Sequence, residues 1–378
     1  MLYERKQVYE KLKDDRRALY EHPHKRETDF RNEFDWMAEG DSQAQKLTRM
    51  DLDLAYQQFF KSLSGKRKGK SGFPKFKKKR HGGSYTTDRG GVSKEGRLKL
   101  PKLGTSIKID DDREIKGDIR RITISKTPTG KWFASILTQQ ELILKGIEIS
   151  DELKTKVIGL DMSLSNFFVD QNGNSPAYER LYRNSEKKLK RAQRKMSRKK
   201  KGSNNFQKQR VRIALIHEKI SNKRRDFTQK LSTQLVRENE VIVIEHLSLK
   251  AMSGALKLGK SVMDLGYSAF IHQLQYKCLW NNKILVQADK WFASSKTCSI
   301  CGQINKNLTL SDRSWVCPNC GIEHDRDQNA GQNLVNYGLK EIGLHQPEFT
   351  PMEFMASEVS SGTLSQDVEV GSTVKSLV

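Results

Sequence analysis

Four of the five cysteines in this chain fall in two Cys-x2-Cys pairs, Cys298/Cys301 and Cys317/Cys320, with fifteen residues between the pairs. Thiols at that spacing can converge on one tetrahedral ion, and zinc suits four sulfur ligands. With cysteine at every position no coordination site stays open, so the expectation is a structural zinc. The intervening chain must then fold as a small knuckle that presents "LSDRSW" as an exposed loop, where Arg313 could reach a phosphate or pair with a nearby acid. Cys278, alone in "YKCLW", reads as a small buried residue. The opening "MLYERKQVYEKLKDDRRALYE" is too charged for a secretion signal, which favours thiolate ligands over disulfides. A soluble cytoplasmic protein is expected.

Directly after the second pair come Asp325, Asp327, Asn329 and Asn333. Two more acids follow short apolar runs: Asp161 after "VIGL" and Glu245 after "VIVI". Strand ends are rigid, because the sheet locks the backbone while the side chain emerges at the rim. Carboxylates held that way can bind Mg2+, which takes oxygen ligands and keeps several waters, and metal-assisted phosphodiester hydrolysis needs such a set. Each acid taken singly could instead be a helix cap or a solvated strand end, Asp327 most readily. Spacing does not choose between Asp325 and Asp327.

Charge narrows the partners. Sixty-nine Lys and Arg against forty-five Asp and Glu give a formal net charge of +24. That excess points to a polyanion, nucleic acid first. No apolar run reaches membrane-spanning length, so no membrane partner is expected. The positive charge is clustered. "SGKRKGKSGFPKFKKKRHGG" carries Lys66, Arg67, Lys68, Lys70, Lys75, Lys77, Lys78, Lys79 and Arg80 without a single acid. Ten of the fifteen residues from Lys187 to Lys201 are basic: Lys187, Lys188, Lys190, Arg191, Arg194, Lys195, Arg198, Lys199, Lys200 and Lys201. Runs of one sign suit a nucleic-acid backbone better than an ordinary solvated face. Phe73 and Phe76 interleave with the first run, either stacking on bases or packing on the domain body. Trp36 and Trp132 read as core.

Periodicity divides the chain. Residues 1–80 read as helical with a basic loop, and 81–150 as antiparallel strands of a small β-barrel with a Thr129-Gly130 hairpin turn. An α/β core over 151–290 follows, carrying a long basic helical insertion at 185–238. The cysteine segment occupies 291–324, a final helix 325–344, and 345–378 reads as a disordered tail.

Taken together, "GLDMS", "VIVIEHLSL", "SSKTCS" and the stretch from Trp315 to Leu334 that contains "HDRDQNAGQNL" resemble the TnpB family. These are transposon-encoded RNA-guided DNA nucleases related to type V CRISPR effectors. The resemblance implies an RNase H-like (RuvC) fold with a zinc ribbon, preceded by helical recognition and β-barrel wedge domains. It implies Asp161, Glu245 and Asp327 as the catalytic, Mg2+-binding acids, and so prefers Asp327 to Asp325. The implied partners are a guide RNA from the transposon end and double-stranded target DNA; whether one or two chains assemble on the RNA is left open, a monomer being favoured. The implied role is cleavage that supports transposon maintenance. Asn329 and Asn333 are then local hydrogen-bonding residues. Family members usually open with a short strand bearing a "YRxYP"-like pattern, and this chain starts inside the helix that follows it. A weakly active relic, a guided repressor or a non-guided transposition accessory protein are the alternatives.

Overall fold

The computed structural model describes residues 1–15, 18–19, 22–66, 69, 72–76, 83–110, 114–142, 150–254, 258–309, 311–344 and the strand at 368–374. It divides into two units, Met1–Glu141 with Ser361–Val378, and Leu142–Ser360.

The first unit begins with α1 (Leu2–Leu12), α2 (Glu27–Glu33), a 3-10 turn at Asp35–Glu39 and α3 (Ser42–Leu63). Asp41 starts α3 by accepting from the Gln43 N–H at 3.0 Å, and its other oxygen accepts from the Tyr85 hydroxyl at 2.8 Å. One carboxylate thus caps a helix and ties it to the sheet. Tyr56 and Phe59 form the buried stripe of α3 and meet Phe73 edge-on at 5.5 and 5.2 Å. Phe73 therefore packs on its own domain, whereas Phe76 stays exposed.

The strands of this unit are β1 (Ser84–Thr87), β2 (Gly91–Val92), β3 (Arg97–Lys99), β4 (Ile107–Asp110), β5 (Asp118–Lys126), β6 (Trp132–Gln139) and β13 (Val368–Val374). They make one seven-stranded sheet in the order β1-β5-β6-β13-β4-β3-β2. The expected β-barrel is corrected here, because among the described residues β1 and β2 stand at the two ends of the sheet and no pairing closes it. The tail expected to be disordered supplies β13, antiparallel to both β6 and β4. Its sequence "VEVGSTV" does alternate with period two. Trp36 and Trp132 are exposed instead of buried, with Lys126 Nζ 5.0 Å from the Trp132 ring centre.

The second unit is α/β. Helix α4 (Asp151–Thr155) leads into β7 (Val157–Ser163) and β8 (Phe167–Asp170), followed by α5 (Leu181–Ser197), α6 (Asn204–Glu238) and β9 (Val241–Ile244). Then come α7 (Leu249–Gly254), α8 (Gly259–Leu265), α9 (Tyr267–Trp280), β10 (Ile284–Gln287), β11 (Ser314–Val316), β12 (Glu323–Asp325) and α10 (Arg326–Leu344). The central sheet has the order β10-β9-β7-β8, with β10, β9 and β7 parallel and β8 antiparallel. All four residues of β9 are buried, as a continuous apolar run at the centre of a two-faced sheet should be. Ile242 and Ile244 face a core that includes Leu235 of α6 with Phe270 and Leu274 of α9, while Val241 and Val243 face Leu334 and Val335 of α10.

The expected single helical insertion is a hairpin of two helices, broken at residues 198–203. Ser203 caps α6 by accepting from the Phe206 N–H at 3.2 Å. The hairpin is fastened to the core through buried Asp264. Its carboxylate accepts from the Tyr182 N–H at 2.8 Å and the Arg183 N–H at 3.4 Å, capping α5 from a distant segment. Arg224 of α6 donates to the Asp264 carbonyl at 2.8 Å.

Glycines set the approach of α10 to the sheet. A Cβ on Gly331 would lie 2.7 Å from both the carbonyl carbon of Asp170 and the nitrogen of Gln171. One on Gly159 of β7 would run into the Gly331 carbonyl oxygen, and one on Gly338 into Val243. The helix thus lies on the strands at backbone contact. Gly331→Ala is expected to destabilise the unit by about 1–3 kcal/mol through overpacking. A thermal melt checks this, and an unchanged midpoint would mean that the contact has slack.

Candidate active site

Pairing of β7 with β9 runs in parallel register from Val157↔Val241 to Leu160↔Ile244. Asp161 and Glu245 are the next residue on each strand, so two acids distant in sequence stand side by side at one rim. Asp161 does not terminate its strand, as the sequence suggested. It lies within β7, paired across the hairpin with Val169 of β8. The hairpin is anchored beneath the rim by the Tyr267 hydroxyl, which is within 2.6 Å of the Ser163 carbonyl and 2.8 Å of the Phe167 carbonyl. Phe167 is fully buried and carries a positive φ of 73°. A bulky residue holds that conformation only where its surroundings dictate it. Here Tyr178, Phe227, Tyr267 and Phe270 surround the ring at 5.0–5.5 Å.

The third acid arrives on α10, and the geometry separates the two aspartates that spacing could not. Asp325 Oδ1 accepts from the N–H of Asp327 at 3.0 Å and of Gln328 at 2.9 Å, which makes Asp325 the helix cap. Asp327 is left with its carboxylate against guanidinium groups. Arg326 donates to Oδ1 at 3.1 and 3.0 Å, and Arg313 reaches Oδ2 at 3.4 Å while remaining 66% exposed. Arg326 escaped the sequence reading, although its place beside an acid in "DRD" was a signal.

Electrostatics link the three acids. Burial first, then repulsion from Glu245 and Asp327, holds the Asp161 carboxyl well above the ordinary carboxylate range, with Arg326 opposing. Burial pushes Glu245 up to about 7, partly offset by the Met162 N–H. A site that resists its own negative charge is one that a divalent cation would stabilise. A carboxyl raised in the fold contributes stability below its unfolded pKa and loses it as pH rises through the folded value. In the metal-free chain, wild type is expected to lose about 3 kcal/mol more stability than Glu245→Gln between the ordinary value of 4.5 and pH above about 7. Denaturant unfolding across that range in a chelator measures it, and parallel curves for the two proteins would contradict it.

The cysteines converge as their spacing required. Among the described residues their ligand atoms form a group that could hold a metal ion, all lying within 4.8 Å of one another. Cys298 and Cys320 sulfurs are 3.7 Å apart, and those of Cys301 and Cys317 3.6 Å. Tetrahedral zinc with sulfurs at about 2.3 Å needs edges of about 3.8 Å, so the donor set fits the ion. Cys301 is pulled down to about 6 by the Gln303 N–H and the Asn319 side chain. His324, buried against Trp315 at 4.9 Å between ring centres, places Nε2 3.1 Å from the Cys298 sulfur. It too went unread, although a histidine four residues after a ligand cysteine is the available signal.

Asn329 and Asn333 join this knuckle to α10. Asn329, 3% exposed, donates to the Thr297 carbonyl at 2.7 Å and accepts from the Ser299 N–H at 2.9 Å. Asn333, 4% exposed, donates to the Ser294 and Thr297 carbonyls at 2.7 and 2.6 Å. The helix bearing Asp327 is therefore bolted to the backbone entering the first cysteine pair.

The basic residues divide. Lys187, Lys188, Lys190, Arg191, Arg194, Lys195, Arg198, Lys200 and Lys201 are exposed on α5 and the turn after it, with Lys199 half-buried. Lys190 pairs with Glu186 at 3.0 Å. Lys66 and Lys75 are exposed in the first unit, whereas Arg67, Lys68, Lys70, Lys77, Lys78, Lys79 and Arg80 lie outside the described residues. Cys278 is buried as expected. Among the described residues no helix is long and apolar enough to cross a membrane.

A mixed sheet with two acids on adjacent parallel strands, a third on the covering helix and a four-cysteine knuckle define an α/β RuvC-like nuclease core. Known proteins agree. A family model described as "Probable transposase" matches residues 140–256, and one for the Cas12f1-like TNB domain matches residues 267–334. A "Putative RNA-guided DNA endonuclease" of Streptomyces pristinaespiralis is 32% identical over 292 residues, covering 76% of this chain and 69% of that protein. The "Putative RNA-guided DNA endonuclease InsQ" of Escherichia coli K12 is 29% identical, over 81% of this chain and 77% of its own. A Cas12f1–sgRNA–target DNA complex aligns at a TM-score of 0.42 and 15% identity, over 67% of this chain and 59% of that one. The chain belongs to the TnpB family of RNA-guided DNA endonucleases encoded by transposable elements.

Proposed function

We propose that this chain is an RNA-guided, Mg2+-dependent DNA endonuclease that supports maintenance of its transposon. The observation that carries the reading is the register of β7 and β9, which sets Asp161 beside Glu245 at the rim reached by Asp327. Asp161, Glu245 and Asp327 would hold the Mg2+. Held there, Mg2+ would supply Lewis-acid activation of a water and charge compensation at the departing 3′ oxygen, chemistry that leaves a 5′ phosphate. Arg326 would orient Asp327 from within the helix, and Arg313, exposed and 3.4 Å from the Asp327 carboxylate, would meet a phosphate of the strand being cut. Cys298, Cys301, Cys317 and Cys320 would bind a structural zinc and fix the approach to Asp327 through Asn329 and Asn333.

The exposed lysines and arginines of α5, and separately the basic run of sequence from Lys66 to Arg80, each suit the backbone of a guide RNA or its hybrid with DNA, where charge positions and base pairing specifies. The test is sequencing of the RNA that co-purifies when the chain is expressed with its own flanking DNA. A discrete RNA ending in sequence from beyond the element supports the guided reading, and heterogeneous or absent RNA sinks it.

A further inference from the structure

We propose that Trp291 and Lys290 form a stacking site for an unpaired base of the DNA strand entering the acidic rim, an inference that rests on the endonuclease reading above. Strand β10 pairs with β9 as far as Gln287↔Ile244, and the Ala288 N–H donates to the Ile244 carbonyl at 2.8 Å. Ile244 immediately precedes Glu245, so β10 leaves the sheet at the edge where Asp161 and Glu245 stand. Trp291 follows three residues later.

The turn that carries it is fixed from both sides. Asp289 Oδ1 accepts from the Trp291 N–H at 2.8 Å, and its carbonyl accepts from the Phe292 N–H at 3.1 Å. The Phe292 ring packs against Tyr337 of α10 at 4.8 Å. Yet Trp291 is 81% exposed, more than any other large hydrophobic side chain among the described residues. A cation stands over the ring, with Lys290 Nζ 4.4 Å from its centre.

A clamped backbone presenting a bare indole suits a flat ligand, and every nucleobase offers a π-face. Lys290 beside it supplies the charge that the neighbouring phosphate needs. The base must be unpaired, since a base within a duplex already stacks on both faces. A strand held in this way would be threaded along the rim with its backbone toward the three acids.

The test uses the full chain with its co-purified RNA and a single-stranded oligonucleotide containing 2-aminopurine, in chelator so that nothing is cut. Stacking on Trp291 quenches the probe. Trp291→Ala is expected to abolish the quenching and weaken oligonucleotide binding by about tenfold. Trp291→Phe should keep most of both, and the RNA content should not change. Equal quenching and equal Kd in wild type and Trp291→Ala would overturn the proposal. So would loss of co-purified RNA in that variant, which would place the indole on the guide. Thermal melts of the variants screen for misfolding. If Trp291→Ala melts early, Trp291→Gln, which keeps bulk but removes the ring, carries the conclusion, with loss of quenching expected and wild-type quenching overturning the proposal. Mg2+-dependent cutting by wild type is scored separately. Its failure counts against the endonuclease reading, while the quenching still decides the role of Trp291.

Discussion

Asp161→Asn should abolish Mg2+-dependent cutting by about a thousandfold or more while leaving RNA and DNA binding within about twofold. The size follows from the proposed role: a ligand would be lost from ions that would lower the barrier by several kcal/mol. Retention of fold follows from the surroundings of the side chain. Asp161 is already held well above the ordinary carboxylate range by burial and by its acidic neighbours, so a neutral amide relieves repulsion in the metal-free protein. Its backbone pairs with Val169 whichever side chain it carries. The variant should therefore melt at or above the wild-type temperature without metal and gain less from added Mg2+. Cutting at more than a tenth of the wild-type rate would remove Asp161 from the site.

Loss of zinc is expected to have the larger effect on structure. Cys317→Ser, or a strong chelator, should release one zinc per chain and unfold the knuckle between Cys298 and Cys320. Beyond the ligands, the knuckle buries little more than Leu308 and Trp315. Structural zinc in small modules contributes about 10–16 kcal/mol of apparent binding energy, which such a core could not replace. The damage should spread along a defined path. Asn329 and Asn333 reach carbonyls of Thr297 and Ser294 that the first cysteine pair holds in place. Without those acceptors, two buried amides lose partners and the first turn of α10 loosens, carrying Asp327 with it. Rapid proteolysis between residues 298 and 320, with cutting lost in parallel, is the expected result. A zinc-free chain that resists protease and still cuts would show the knuckle to be dispensable.

Much of this site was legible in the sequence because its chemistry follows local patterns. Four cysteines at fixed spacing and an acid after a four-residue apolar run are short-range signals. The adjacency of Asp161 and Glu245 is a long-range fact, set by pairing between strands some eighty residues apart, and no local pattern carries it. Spacing did not separate Asp325 from Asp327; family resemblance preferred one, and the capping bonds of Asp325 supply the geometric reason. Sheet closure was misjudged for a related reason. Strand-like segments can be counted along the chain, but whether the first pairs with the last depends on the whole sheet. Trp36 and Trp132 were assigned to the core from residue type alone, and side-chain size does not decide burial when the surrounding sequence is strongly polar.

The most direct test of the central claim is cleavage of DNA by the purified chain with its own RNA, in Mg2+, on a matched target and on one with the matching sequence scrambled. The account predicts cutting of the matched DNA alone, with 5′ phosphate ends, and none in chelator. Cutting of both targets would contradict guidance by RNA. Binding of the matched target without cutting, by a protein whose three acids are intact, would contradict the catalytic role assigned to Asp161, Glu245 and Asp327.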